Sequence, residues 1–291
     1  MAAFPPSRRS AVTAAVSITV VVVALFCASA ALFFVYYVKP VAEVEGSGEM
    51  VRELRKTAVF EKLHVLASPA EVELLSGEFD GVLDVEIDSN WKPYLLAEVT
   101  DHTLLLHVKA GYSLRCADDK ICVTRVRLVV PASLRQLKVA PGAAVTMSSA
   151  APALTLDELS VIHEGVSASR RGKTSPACVI RLNCRLTEKL TARLEGDAHL
   201  ELRGRAPLAL YNLTINSTVD GYEFESERVV VSATGTARAY VNVSQQLLVQ
   251  SLSAHAGIWY KGAANVTQGG ESVAEGFSKD DVTAHNIHFV L

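Results

Sequence analysis

Four cysteine thiols, four asparagine amides and a spaced set of aromatic rings are the groups in this chain whose types and positions bear on chemistry. Cys116 and Cys122 are separated by five residues, as are Cys178 and Cys184. A six-residue step along an extended strand covers about 20 Å, whereas bridged Cα atoms lie only about 4.4–6.8 Å apart. A local bridge therefore needs a turn. Asp118-Asp119 supplies one, so Cys116–Cys122 is expected to close a small loop. Val179 to Asn183 reads as strand, which disfavours Cys178–Cys184, and cross-pairing of the two sets stays open. The spacing fits no zinc site. The asparagines Asn212, Asn216, Asn242 and Asn265 each begin an Asn-x-Ser/Thr acceptor and account for four of the chain's seven Asn, an excess that predicts N-glycosylation. Tyr222, Tyr240, Trp259 and Tyr260, with Phe224 nearby, recur at corresponding ends of successive sequence units. In register they would form an aromatic ladder, a binding strip for sugar or protein; the competing reading is a stack that caps the core.

The remaining reactive pairs read as structural. His163-Glu164 lacks a second His at helical spacing and is expected at the surface. Asp118-Asp119 and Lys279-Asp280-Asp281 read as solvated turns. His285 and His288 would point to opposite faces of a strand. Arg203 and Arg205 near Glu201 read as cross-strand ion pairs. The sequence has no nucleophile elbow, metalloprotease helix or phosphate-cradling glycine loop. The expectation is a non-catalytic module that needs neither cofactor nor metal. The alternative is a secretory-pathway luminal enzyme acting on glycans, or a chaperone-like factor. Sugar-nucleotide transferases, however, require helices and a paired-Asp motif that this chain lacks.

The groups above need a compartment that glycosylates asparagine and permits disulfides, and the first forty residues supply its signal. Ala11 to Val38 runs 28 residues without a charge. As a helix at about 1.5 Å per residue it exceeds a bilayer core of roughly 30 Å. The small-residue pattern Ala28-Ser29-Ala30 resembles a signal-peptide cleavage site, but the apolar run continues through Val38, with Tyr36 and Tyr37 at its end, and so favours an uncleaved signal anchor. Arg8 and Arg9 precede the span and place the N-terminus in the cytoplasm. Everything after residue 39 is then extracellular or luminal, and the lipid bilayer is a partner through residues 11–38. Of 28 basic residues three precede Pro40, which leaves 25 against 31 acidic ones and a net charge of −6 for the exported part. Nucleic acid is excluded as a partner on that sign; a glycan or a surface protein is not.

The expected organisation is a cytoplasmic N-terminus (1–10), a transmembrane signal-anchor helix (11–38), a stalk (39–56), a β domain (57–270) and a C-terminal tail (271–291) that caps the last coil or hangs free. From Thr57 onward, short β-branched runs alternate in polarity and are punctuated by Gly, Pro, Ser and Asp, for example Val82-Leu-Asp-Val-Glu-Ile-Asp88 and Thr103-Leu-Leu-Leu-His-Val108. The exported part is predicted all-β. Strand-turn-strand units anchored at Leu137, Leu159, Leu190, Leu213, Val229 and Leu248 repeat at a loose spacing near 20 residues, which predicts stacked rungs: a right-handed β-helix or β-roll, solenoid-like. An irregular antiparallel sandwich is the alternative.

These residues resemble a known family. Phe60-Glu-Lys-Leu-His-Val65, Ala70-Glu-Val-Glu-Leu74, Thr103-Leu-Leu-Leu-His-Val108, the turn Pro131-Ala-Ser-Leu134-Arg-Gln-Leu137 and the closing Ala256-Gly-Ile-Trp-Tyr-Lys-Gly262 are similar to the GIN-type domain of the auto-transporter adhesin head family. The similarity spans Phe60 to Gly269. It implies a β-rich rung fold and an adhesin-like binding role, and supplies no functional residues. The family's Gly-Ser-Gly turns are mostly replaced here by Gly196-Asp197 or Ala-Gly turns.

Overall fold

The computed structural model describes residues 41–66, 70–116, 124–148, 151–165, 177–253, 255–269 and 287–290. The predicted anchor, Cys27, Cys122, Asp118-Asp119, Lys279 to Asp281 and His285 lie outside the described residues. Among the described residues no helix is long and apolar enough to cross a membrane. The chain divides into two units. In the first (1–43 and 110–113), Ala42 donates its N–H to the Gly111 carbonyl at 2.9 Å. The second (44–109 and 114–291) holds the core and is described below.

All described regular structure is β. Strand β1 (Ala42–Glu45) pairs with β8 (Tyr112–Arg115). The others join one 17-stranded sheet. Its first part is antiparallel: β2 (Met50–Lys56) runs against β5 (Val82–Asp88), β5 against β9 (Thr124–Val129), and β6 (Leu95–Thr100) against β7 (Thr103–Val108). From β3 (Lys62–Val65) and β4 (Ala70–Leu75) onward the stacking is parallel, through β10 (Gln136–Val139), β11 (Ala143–Thr146) and β12 (Leu154–His163). Four long strands follow: β13 (Cys178–Glu195), β14 (Ala198–Thr214), β15 (Thr218–Ala233) and β16 (Arg238–Leu252). Then come β17 (Gly257–Lys261), β18 (Asn265–Gln268) and β19 (Ile287–Phe289).

Each long strand bends through register shifts instead of ending, as between Arg185 and Lys189, so one strand serves successive faces of a curled, β-roll-like sheet. The partners Cys178–Ala198, His199–Thr218, Thr218–Arg238 and Arg238–Gly257 give coils of 20, 19, 20 and 19 residues by subtraction. The period expected from sequence is present, but its anchors differ. Leu159, Leu190, Ala209, Val229 and Leu247 share one column, and Leu137 pairs with Val161. Leu248 falls one residue off and Leu213 four. A slip of one residue turns a side chain to the other face, which is why Leu247 is buried and Leu248 is not.

Period-two alternation builds the core. Leu104, Leu63, Leu137, Val161, Ala192, Tyr211, Val231 and Val249 stack rung on rung, every one nearly or fully buried. A second inward column runs Val85, Val126, Val72, Val145, Ile180, Leu200, Val219, Ala239 and Ile258. Each Leu, Val or Ile buried this way contributes about 1.5–3 kcal/mol of transfer free energy.

Three expectations are corrected here. The segment read as a stalk enters the sheet: β2 pairs with β5 over seven residues, and buried Asp88 binds the preceding turn. Cys178 and Cys184 are free thiols, not disulfide partners, because one continuous strand holds them about 20 Å apart. Burial pushes both thiols up to about 12. Cys116 is disulfide-bonded. His163 is buried, not a surface residue: its Nδ1 donates to the Val139 carbonyl at 2.7 Å, and desolvation lowers its pKa and keeps the ring neutral. Its neighbour Glu164 does lie outside, paired with Lys138 at 2.7 Å. The C-terminal tail contributes β19, which extends the sheet beyond β17.

Candidate functional site

One residue along from the second core column, side chains point outward. The register there runs Asp84, Arg127, Glu73, Thr146, Arg181, Glu201, Asp220, Tyr240, Trp259 and His288. Its first half is ionic. Arg52 meets Asp84 at 2.6 Å, Arg127 meets Glu73 at 2.8 Å, Arg181 meets Glu201 at 2.7 Å, and Arg203 on the adjacent column meets Glu223 at 2.8 Å. Exposed pairs of this kind add about 0–1 kcal/mol each. They bear out the ion-pair reading of Glu201 and Arg203.

A shallow groove of about 600 Å³ lies over this half, lined by Glu73, Thr146, Arg181, Asn183, Glu201 and Arg203 among others. The Arg181 guanidinium holds the Glu201 carboxyl below its usual range, and Arg52 does the same for Asp84. Carboxylates held ionised by a neighbouring cation lack the raised pKa of a general acid. Among the described residues no three His, Cys, Asp or Glu side chains come together as a metal site.

The second half of the column is aromatic. Tyr240 and Trp259 stack with ring centres 4.9 Å apart and planes 21° apart, and Trp259 stacks on His288 at 5.3 Å and 21°. Tyr222 meets Tyr240 edge-on at 5.4 Å. It gets there because β15 carries three more residues than β16 between the pairs Gly221–Val241 and Glu225–Asn242, which throws Tyr222 out of the ladder. Lys261 extends its ammonium to within 5.6 Å of the Tyr222 ring centre, and Asp220 accepts the Tyr222 backbone N–H at 3.4 Å. Desolvation first, then Tyr240 and Asp220, push the Tyr222 hydroxyl up, so it stays a neutral hydrogen-bonding group.

Of the residues expected to form a strip, Tyr222, Tyr240 and Trp259 come together and Tyr260 does not. Tyr260 is one step out of phase, packs inward against the core and meets Phe289 edge-on at 5.4 Å. Phe224 is likewise inward and fully buried. His288, Lys261 and Asp220 belong to the strip but carried no strong sequence signal. His288 is 29 positions from Trp259 (288 − 259), well off the coil period, and its contact is set by β19 docking on β17.

The Trp259 indole leans back along its own strand because Gly257, two residues earlier on the same face, has no side chain. A Cβ there would come within 2.4 Å of the indole. Gly257→Ala is expected to swing the indole off Tyr240, cutting its contribution to any ligand contact while leaving the core intact. Loss of the near-ultraviolet dichroism of the coupled rings, with unchanged far-ultraviolet signal, checks this.

The four glycosylation candidates are on outer positions. Asn212, Asn216 and Asn265 are exposed and Asn242 is half-buried. Asn216 sits in a turn, its amide donating to Asp197 at 2.9 Å and its oxygen accepting from Thr236.

Fold and site together define an all-β roll with a compensated ionic face and an aromatic strip over its last coils. The chain belongs to the family described as "Putative auto-transporter adhesin, head GIN domain", whose model matches residues 59–264. No curated protein matches it. Solved structures share the fold. A protein described as a putative adhesin from Bacteroides fragilis aligns with a TM-score of 0.63 at 18% identity, covering 78% of this chain and 96% of its own. A putative lipid binding protein from Parabacteroides distasonis and a putative adhesin from Parabacteroides merdae each align at 0.59 and 16%, over 86% of this chain and all of theirs.

Proposed function

We propose that the chain is a membrane-anchored, non-catalytic, adhesin-like binding module whose β-roll presents the Tyr222–Tyr240–Trp259 strip to a glycan. The observation that carries this reading is the outward stack of Tyr240, Trp259 and His288 on three successive rungs, flanked by Asp220 and Lys261. Tyr240 and His288 cover the two faces of Trp259, so the strip offers a sugar its ring edges and tyrosine hydroxyls, and the flanking carboxylate and ammonium are placed to bond the sugar's hydroxyls. Right-handed winding follows from the preference of parallel strand crossovers. Residues 11–38 serve as the signal anchor, which puts the roll on the extracellular or luminal side, where Asn212, Asn216, Asn242 and Asn265 are open to N-glycosylation.

A glycan array probed with residues 41–291 tests the reading. Tyr240→Ala and Trp259→Ala are expected to weaken binding to the retained sugars by about tenfold each, the scale of losing one stacking contact and its burial. Because one fold relative is described as lipid binding, phosphatidylcholine and phosphatidylglycerol vesicles form the second arm. Binding to vesicles alone, or sugar binding indifferent to both substitutions, overturns the proposal.

A further inference from the structure

One acceptor asparagine lies within the strip itself. Tyr240 and Asn242 are two residues apart on β16, so they share its outer face about 6.6 Å apart along the strand. Across the ladder Asn242 is the register partner of Lys261 on β17 and of Glu225 on β15. Lys261 reaches from β17 to the Tyr222 ring on β15, so its stem crosses the strand that carries Asn242. This crowding accounts for the half-burial of Asn242, against the exposure of the other three acceptors. The residues two positions before those are Leu210, Thr214 and Ala263, none aromatic.

Resting on the strip reading above, we infer that an N-glycan on Asn242 lies down on the strip. Its first N-acetylglucosamine competes in cis for the surface that a ligand uses in trans, so chains bare at Asn242 bind more tightly. The modification is a substitution at an anomeric carbon. The Asn242 amide nitrogen bonds to the first sugar of a lipid-diphosphate oligosaccharide, the C–O bond to the diphosphate breaks, and the amide loses one proton as the diphosphate leaves. The attached sugar is then tethered within one side chain's reach of Tyr240, a proximity no free ligand matches. Trans affinity is thereby reduced by the fraction of strip left open.

The test uses the full chain made in a eukaryotic host, with occupancy at each acceptor read by peptide mass spectrometry. Trp259 and Trp91 are the chain's two tryptophans and Trp91 is fully buried, so acrylamide quenching of emission reports Trp259. Asn242→Gln and Ser244→Ala, two routes to a bare site, are expected to raise quenching and to tighten chitotriose binding by about two- to tenfold. Asn265→Gln is expected to change neither. A wild-type chain bare at Asn242, or one occupied there whose Trp259 is quenched as readily as in both variants, overturns the inference. Raised quenching with chitotriose bound by no variant upholds the cis contact and overturns the binding role. Equal chitotriose binding by wild type and both variants does the reverse.

Discussion

Gly204→Ala is expected to cost about 3 kcal/mol or more, and to lower Tm by about 6–12 °C for a domain of this size. Gly204 sits where β14 bends, with φ at +112°, and is the register partner of Cys184 below and Phe224 above. A Cβ added there would meet the Cys184 carbonyl oxygen at 1.9 Å and its carbon at 2.8 Å. Those atoms are backbone of the neighbouring coil, so they cannot rotate away as a side chain could. Relief requires β14 to lift off β13, which breaks ladder hydrogen bonds and opens the core over Phe224. Thermal unfolding checks this against Gly111→Ala, whose added Cβ meets nothing within 4 Å. Both glycines have positive φ, so the difference between the two isolates the rung clash from backbone strain. Equal losses at the two positions would show that coil-to-coil contact at Gly204 is not limiting.

Asp88→Ala is expected to destabilise by about 3–5 kcal/mol, because several neutral donors lose the charged acceptor that satisfied them together. The Asp88 carboxylate is fully buried and accepts from the Ser47 N–H at 3.0 Å, the Ser47 hydroxyl at 3.1 Å, the Gly48 N–H at 2.7 Å and the Asn90 N–H at 2.9 Å. Alanine would leave those donors without an acceptor and untie the turn that feeds β2 into the sheet. Trp91, buried beside it with its indole N–H on the Val44 carbonyl at 3.1 Å, would lose its cover. Desolvation works against the ionised form, but the four donors outweigh it and hold the Asp88 pKa below the ordinary 3.8. With the folded value depressed, the contribution is complete above the unfolded pKa and fades as pH falls through the folded one. The gap between wild type and Asp88→Ala in urea unfolding should therefore be full at neutral pH and shrink from about pH 4 downward. A gap that stays constant to about pH 2.5 would mean the loss came from packing, not from the charge.

Much of the fold is legible in the residue pattern. Period-two alternation in segments such as Val82–Asp88 and the spaced Leu, Val and Ala positions were enough to predict an all-β chain of stacked coils near 20 residues. The adhesin-head resemblance rested on Phe60–Val65, the Pro131 turn and the Ala256–Gly262 end, and the family model confirms it over residues 59–264. Leu248 reads as a repeat anchor and Tyr260 as part of the strip, but each has a neighbour, Leu247 or Trp259, on the opposite face, and which of two adjacent residues faces inward is fixed by register with the next coil. With no second His at helical spacing, His163-Glu164 reads as a surface pair. In the fold, the Val139 carbonyl meets its ring nitrogen and makes burial tolerable. In the sequence Asp88 is only the end of an alternating run, since a carboxylate's donors are invisible until the chain folds back to within 3.0 Å of it.

The residue pattern alone determined that this protein builds an elongating β ladder from Thr57 onward, and that its aromatic groups recur once per coil. Both are local consequences of side-chain alternation and period. Only the tertiary structure decided which of those rings share a face, that Gly257 clears a bed for Trp259, that Lys261 and His288 join the strip, and that Asn242 lies among them. These depend on the register between coils, and register is set by bulges, cross-rung clashes and strand docking that act across about 20 to 30 residues of intervening chain.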